Sequence, residues 1–179
     1  KHDPEDASTI SSNFIYNIFE DSRQNIWICT KDGLNLLNPQ TMQVTRIPYG
    51  QSGVSSTKSK YMKQVFQDRD GDLWLISDAG LSKIVYESPN EIYFRNFPAD
   101  APNALPSRFA KQMIQDSKGR LWIIADGGLS LFDKQKCVFK NYLHQPDNAQ
   151  SLSNKYTKSI IEGPEGNLWI GADEGISIF

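Results

Sequence analysis

Lysine and arginine recur at two fixed positions along this sequence of 179 residues. The positions lie five and eight residues before a short turn motif that occurs four times, and only the first copy has uncharged residues there, Tyr16 and Asn13. The candidate ligand-binding residues are Lys60, Lys63, Arg108, Lys111, Lys155 and Lys158. If these side chains converge, they can bind an acidic saccharide or another anion, because arginine and lysine donate charged hydrogen bonds. The alternative is a set of ordinary solvated cations at strand ends.

Two other groups of residues have types that can bind metal ions. The stretch 68–72, Asp-Arg-Asp-Gly-Asp, resembles the start of a calcium loop, which needs oxygen ligands at alternate positions and a late bidentate glutamate. The equivalent residues of the other copies lack those oxygens, so we interpret the aspartates as turn residues. His2 and His144 occupy equivalent loop positions without a partner ligand, whereas a metal site needs several converging ligands. We therefore expect no metal site.

The sequence contains no recognisable catalytic motif. A nucleophile elbow, a His-Glu-x-x-His pair and a phosphate-binding loop are all absent from it. The serines are numerous but lie in predicted turns. We therefore predict a segment that is not an enzyme, with no catalytic residue and no cofactor.

The turn motif belongs to a repeat that covers the whole chain. All four tryptophans share one position in it, and successive tryptophans are 47, 48 and 47 residues apart. A glycine follows each tryptophan by six residues, and in three copies an aspartate precedes the tryptophan by six. The structural repeat positions are Trp27, Trp74, Trp122, Trp169, Gly33, Gly80, Gly128, Gly175, Asp21, Asp68 and Asp116. Such a period is typical of a stacked or radial array, and identical surroundings predict that the tryptophans are core residues.

Each repeat is predicted to form four short strands. In the third copy, strand a covers residues 109–115, strand b 121–125, strand c 129–132 and strand d 137–142, with Asp, Gly and Ser in the turns between them. Strand a is apolar on both faces, which favours a place between neighbouring sheets. Four antiparallel strands in one repeat are the blade of a β-propeller. The predicted fold class is therefore all-β, built of β-propeller blades.

The repeat boundaries predict a single propeller segment over residues 1–179. Its four-stranded blades cover roughly 10–49, 57–97, 105–142 and 152–179, and the last blade lacks its outer strand. We expect a partial array from a larger, seven-bladed propeller. Because bare strand edges invite association, we also expect either an open partial ring or self-association through the open blade edges.

Composition excludes two classes of partner. The formal charge is −2 with both signs mixed along the chain, which gives no basis for binding nucleic acid or a membrane surface. No apolar run approaches the roughly 20 residues that a membrane-spanning helix needs. The two cysteines, Cys29 and Cys137, occupy different places in their repeats, so we expect two separate thiols.

The repeat resembles that of the two-component regulator propeller family. The similarity lies in an aspartate, usually a glycine three residues later, a Leu/Ile-Trp-Ile strand and a closing Gly-Leu, and it extends over all four copies. The fourth copy departs from this pattern with Gly163 in place of the aspartate, and the first has Gln24 in place of the glycine.

The resemblance implies a function as well as a fold. In that family the repeats form the periplasmic sensor region of inner-membrane hybrid histidine kinases, where paired seven-bladed propellers detect oligosaccharides. It therefore implies an extracytoplasmic segment that binds an oligosaccharide and signals by a ligand-linked change in how protomers pack. Two alternatives remain: a propeller enzyme of the lyase or hydrolase type, and a scaffold that serves only protein interaction or dimerisation.

Overall fold

The computed structural model describes residues 1–50, 56–88, 91–98 and 103–179. Within these residues the fold is all-β, and no helix is long and apolar enough to cross a membrane. The chain divides into two compact units, Lys1–Asn96 and Phe97–Phe179. The predicted blade 57–97 includes residues 89 and 90, which lie outside the described residues.

The first unit contains two sheets, which we call blade 1 and blade 2. The strands of blade 1 are β1 (Ile15–Glu20), β2 (Ile26–Thr30), β3 (Gly33–Asn38) and β4 (Gln43–Ile47). The strands of blade 2 are β5 (Met62–Gln67), β6 (Leu73–Ser77), β7 (Gly80–Ser88) and β8 (Glu91–Pro98), whose last residues pass into the second unit.

The second unit contains blade 3 and blade 4. The strands of blade 3 are β9 (Ala110–Gln115), β10 (Leu121–Ala125), β11 (Gly128–Asp133) and β12 (Val138–Leu143). The strands of blade 4 are β13 (Thr157–Glu162), β14 (Leu168–Ala172) and β15 (Ile176–Ile178). Every sheet is an antiparallel meander in which each strand pairs with the next one in sequence. The prediction of an all-β protein made of propeller blades is confirmed.

The first strand of each blade lies against the first strand of the neighbouring blade in its unit. In the first unit β1 contacts β5, and in the second β9 contacts β13. Side chains bridge these strands: the Val65 amide donates to Asn17 Oδ1 at 3.1 Å, and the Ile160 amide donates to Gln112 Oε1 at 3.0 Å. Strand a is thus the strand through which successive blades of a unit meet.

The repeated aspartate accepts a hydrogen bond from the repeated tryptophan. The indole Nε1 donates to the carboxylate six residues earlier at 2.9 Å in Trp27–Asp21, Trp74–Asp68 and Trp122–Asp116. The other carboxylate oxygen of each aspartate accepts two backbone amides of the turn between strands a and b. One buried side chain therefore closes the turn and satisfies a buried indole, which explains the spacing of six residues.

The repeated glycine that begins strand c is required by its backbone. Gly80 and Gly175 have φ of 103° and 90°, a region that side chains with a Cβ rarely adopt. At Gly128 a Cβ would lie 2.2 Å from the carbonyl oxygen of Tyr142 on the neighbouring strand. The tight turn between strands b and c therefore needs glycine in these copies.

Three of the four tryptophans are core residues, as predicted, and the fourth is not. Trp27, Trp74 and Trp122 are at most 2% exposed, whereas Trp169 is 41% exposed. In the first unit Tyr86 of blade 2 covers the Trp27 indole edge-on at 6.4 Å, and in the second Phe179 covers Trp122 at 5.6 Å. Gly163, at the aspartate position of the fourth copy, offers no carboxylate to the Trp169 indole.

Both cysteines are free thiols. Cys29 is fully buried, and burial raises the pKa of its thiol to about 12. Cys137 lies half-buried in the turn before β12.

Candidate ligand-binding surface

The turn between strands b and c lies beside the start of strand a in every blade. A backbone amide at the end of strand b donates to the carbonyl of the residue that precedes or begins strand a. The pairs are Lys31–Phe14 at 3.0 Å, Asp78–Tyr61 at 3.3 Å, Asp126–Phe109 at 3.2 Å and Asp173–Tyr156 at 3.1 Å. All four acceptors are aromatic residues. We call this end of a blade its mouth, defined by these eight residues and the predicted cations.

Three of the four mouth aromatics are exposed to an extent that is unusual for such side chains, and the fourth, Tyr61, is half-buried. Phe14 is 68% exposed, Phe109 48% and Tyr156 44%. Tyr156 keeps this exposure although blade 3 pairs directly with its backbone, since Asp126 and Tyr156 form an isolated antiparallel bridge. Packing between blades therefore does not use this ring.

A cation lies over each mouth aromatic. In three blades it is supplied by the residue directly before the aromatic: Lys60 lies 5.4 Å from the Tyr61 ring centre, Arg108 5.3 Å from Phe109 and Lys155 5.0 Å from Tyr156. In blade 1 Lys31 lies 5.4 Å from Phe14. These contacts are within the range of cation–π attraction, about 6 Å.

Two of the predicted lysines are held by a carboxylate of the same blade. Lys111 donates to Asp126 and also, at 2.6 Å, to the backbone carbonyl of Thr157 in blade 4. Lys158 lies 2.8 Å from Asp173 in the equivalent arrangement. The hydrogen bond to Asp173 and the attraction of its charge raise the pKa of Lys158.

The other predicted cations have different partners. Lys60 lies 3.7 Å from Asp32, the carboxylate of the turn between strands b and c in blade 1. Lys63 lies 4.0 Å from the ring centre of Tyr16, the uncharged residue at its own position in blade 1. Three of the six predicted cations are thus paired with a carboxylate.

Blade 3 and blade 4 bring two mouth aromatics close together. The backbone of Asp126 lies between those of Phe109 and Tyr156, and the Gly127 amide donates to the Lys155 carbonyl at 2.7 Å. Two strand spacings of about 4.8 Å place the backbones of the two aromatics roughly 10 Å apart.

Reasoning from the sequence identified the cations and missed the aromatics as candidate ligand contacts. Phe14, Tyr61, Phe109 and Tyr156 recur seven residues before each turn, and that recurrence is visible in the sequence. The available signal was the pair itself, because in three copies a cation directly precedes an aromatic at a strand end. The aspartates of the turn between strands b and c were also missed.

The described residues hold no group of three or more His, Cys, Asp or Glu arranged to bind a metal ion. The stretch 68–72 instead forms the aspartate-closed turn that its neighbours also form. His2 and His144 each bond through Nδ1 to a backbone carbonyl of their own loop, Ile10 at 2.7 Å and Leu152 at 2.6 Å.

The model of the family described as two component regulator propeller matches residues 9–32 and 151–174. These residues include the turns and tryptophans of the first and fourth copies of the repeat. The resemblance stated from the sequence is therefore confirmed. No curated protein matches the chain.

Two solved extracellular domains from B. thetaiotaomicron, both named as hybrid two component systems, share the fold. One is 23% identical with a TM-score of 0.74, over 94% of this chain and 22% of its own length. The other is 21% identical with a TM-score of 0.61, over 98% of this chain and 28% of its own length. The chain thus spans less than a third of each.

Virginiamycin B lyase from Staphylococcus aureus is also similar. It is 14% identical with a TM-score of 0.58, over 93% of this chain and 55% of the lyase. At such low identity these structures show a shared fold, and propellers of this kind serve both sensors and enzymes.

Proposed function

Because this chain carries repeats of the two component regulator propeller, we propose that it is the ligand-sensing part of an extracytoplasmic sensor region. The parent protein would be a hybrid two-component sensor kinase of the inner membrane. The ligand would be an oligosaccharide, and the segment itself would not be catalytic. The similar extracellular domains of hybrid two component systems support this proposal.

The observation that carries the ligand proposal is the aromatic with its cation at the mouth of each blade, exposed in three of the four blades and half-buried in blade 2. Neither side chain takes part in the repeated core, yet the position holds an aromatic in all four copies. An exposed aromatic ring offers an apolar face, and the arginine or lysine beside it offers charged donors. A saccharide that carries an acidic group presents both complementary surfaces, apolar C–H faces and an anion.

Arg108 and Lys155 are the cations best placed to meet an anionic group. Both are exposed, and within the described residues their side chains interact only with the adjacent aromatic rings. Lys63 contacts Tyr16 in the same way. Lys111 and Lys158 are already paired with carboxylates, so their role would be to hold the mouth residues in position. Signalling would follow if the bound ligand favours one packing of two protomers over another.

The proposal is tested by calorimetric titration of the purified protein with a panel of neutral and acidic oligosaccharides. We expect at least one acidic member to bind, and Arg108→Ala and Phe109→Ala each to weaken that binding about tenfold. Lys118→Ala provides a matched control, because Lys118 is an exposed cation in the turn at the opposite end of β9. A panel without binding, or equal loss in the control, would contradict the proposal.

The structure changes the expected result for Lys111→Ala. The sequence predicts weaker binding of anionic glycans without lower stability. Because Lys111 joins Asp126 of blade 3 to the Thr157 carbonyl of blade 4, we now expect its removal to lower the melting temperature as well. Arg108→Ala is therefore the cleaner test of ligand binding.

The titration also separates the enzymatic alternative and the scaffold alternative from the sensor. A lyase or hydrolase would change the mass of the glycan, which chromatography of the recovered ligand detects. A scaffold would associate without ligand, and sedimentation velocity with and without the glycan measures this. A sensor of the proposed kind returns the glycan intact and changes its association when the glycan binds.

A further inference from the structure

Blade 2 departs from the repeat in the length of its outer hairpin. Strands β7 and β8 have nine and eight residues, whereas β3 and β4 of blade 1 have six and five. The additional length places Tyr86 against blade 1. Its hydroxyl donates to Asp21 Oδ2 at 2.9 Å and accepts from Asn25 Nδ2 at 3.0 Å.

This contact holds Tyr86 firmly in place. Its ring lies edge-on to Trp27 at 6.4 Å, and the guanidinium of Arg23 lies 4.1 Å from its centre. Burial and the charge of Asp21 both raise the pKa of Tyr86, so the phenol remains a neutral hydrogen-bond donor. These contacts fix the orientation of the Tyr86 side chain.

The fixed ring closes one side of a groove of about 320 Å³ between blade 1 and blade 2. The lining residues beside Tyr86 are Asn25, Leu36, Asn38, Gln43, Thr45, Ile47 and Ile92. The lining contains amides, hydroxyls and aliphatic side chains, and no charged residue. The volume is near the lower end of the range for ligand pockets, roughly 300–1,000 Å³.

Blade 3 does not share this neutrality. The two blades have the same register: Leu36 pairs with Thr45 as Leu131 pairs with Lys140. At the four polar positions, blade 1 has neutral residues where blade 3 has three charged residues and one valine. The equivalent pairs are Asn25 and Arg120, Asn38 and Asp133, Gln43 and Val138, and Thr45 and Lys140.

Several polar groups of the groove are available to a ligand. The side chains of Gln43 and Thr45 are exposed and make no hydrogen bond within the described part of the chain. Asn38 uses its carbonyl oxygen for the amides of Gln40 and Thr41, at 2.9 and 3.1 Å, which leaves its NH₂ group as a donor. The groove therefore offers donors and acceptors together above an aliphatic floor.

We propose that this groove binds a neutral saccharide of one or two rings. Sugar hydroxyls both donate and accept hydrogen bonds, as the amides and the threonine do, and the C–H faces of a sugar suit the floor of Leu36 and Ile47. A charged ligand would find no opposite charge in the lining. The ligand class is that of the proposed function, on which this inference rests, but the site lies apart from the mouth residues.

The test is NMR titration of the ¹⁵N-labelled protein with maltose, cellobiose and lactose, and with digalacturonate as the acidic counterpart. We expect at least one neutral disaccharide to shift the amide resonances of β4 and of the β7–β8 hairpin. The variant Thr45→Lys introduces the residue of blade 3 and should weaken that binding at least tenfold. Asn38→Asp should act in the same direction.

Lys140→Thr is the matched control, because it makes the reverse exchange at the equivalent position of blade 3. It should leave the affinity unchanged. The absence of binding by all three neutral disaccharides, or an equal effect of Thr45→Lys and Lys140→Thr, would overturn the groove proposal. Arg108→Ala distinguishes the two proposals, since it should weaken mouth binding about tenfold and leave the β4 shifts unaltered.

Discussion

Replacement of Asp116 by alanine should destabilise the protein more than any ordinary turn substitution. Asp116 is fully buried and accepts hydrogen bonds from the amides of Lys118 and Arg120, from Arg120 Nε at 2.5 Å and from Trp122 Nε1 at 2.9 Å. Alanine leaves the indole of Trp122, itself 1% exposed, without an acceptor. It also opens the turn that begins β10.

The expected cost follows from the groups that lose their partner. An unsatisfied buried donor costs about 1–3 kcal/mol, and a hydrogen bond to a charged group contributes about 1.5–3 kcal/mol. Because these contributions overlap at one carboxylate, we expect a total of about 3–4 kcal/mol rather than their sum. For a chain of this size each kcal/mol lowers the melting temperature by about 2–4 °C, so a decrease of roughly 10 °C is expected.

Asp133→Ala is the matched control for this prediction. Asp133 also closes a turn, with Oδ1 accepting the amides of Gln135 and Lys136 at 3.0 Å each, but it is partly exposed and has no indole partner. We expect it to cost about 1 kcal/mol. Chemical denaturation of both variants measures the difference. Equal losses would refute the claim that the indole–carboxylate bond is what makes the aspartate indispensable.

The lowered pKa of the Asp116 carboxyl predicts how the stability of the fold depends on pH. Burial alone would raise the pKa of Asp116, but hydrogen bonds from Trp122 and Arg120 outweigh burial, and the pKa lies below its ordinary value of 3.8. A carboxyl with a lowered folded-state pKa stabilises the fold above its unfolded pKa and loses that contribution as the pH falls through the folded value. The stability difference between the protein and Asp116→Asn should therefore be largest near pH 7 and shrink on acidification below about pH 4.

Two further predictions concern positions where the copies differ. Gly163→Asp should stabilise blade 4 by about 1 kcal/mol, because the Trp169 indole, now 2.5 Å from where a Cβ would be, can move to donate to the new carboxylate. Thermal unfolding and a blue shift of the tryptophan fluorescence test this, and lower stability would contradict it. Ellman's reagent at pH 8 should label one thiol in the folded protein, Cys137, and two thiols after unfolding. Cys29 should not react in the folded protein, because it is buried and its pKa is raised to about 12. Rapid labelling of Cys29 in the folded protein would contradict the buried assignment.

The blades were predictable from the sequence because the repeat records a local constraint. Asp116 and Trp122 are six residues apart and touch through one hairpin, so selection for their bond leaves a fixed spacing that is visible without coordinates. The glycine six residues after the tryptophan is equally local, since it begins the next strand of the same sheet. The sequence did not reveal that the aspartate accepts the indole, because the turn alone already accounts for an aspartate there.

The mouth was predictable only in part, because its partners are farther apart in the chain. Lys111 and Asp126 are 15 residues apart and meet across the whole hairpin, and the Thr157 carbonyl comes from the next blade. The sequence does not show whether a lysine at a strand end will pair with a carboxylate in the fold. The cations could therefore be located, but which of them remain available to a ligand could not be inferred.

The groove beside Tyr86 was missed for the opposite reason, because it consists of departures from the repeat. Comparison of the four copies identifies the positions that they share, and the shared residues form the hydrophobic core. Asn38 and Thr45 look like ordinary surface variation until the register shows that they replace Asp133 and Lys140 at equivalent places on the sheet. In an array of similar blades, the common residues determine how a blade folds, and a site confined to one blade has to be sought where that blade differs from the others.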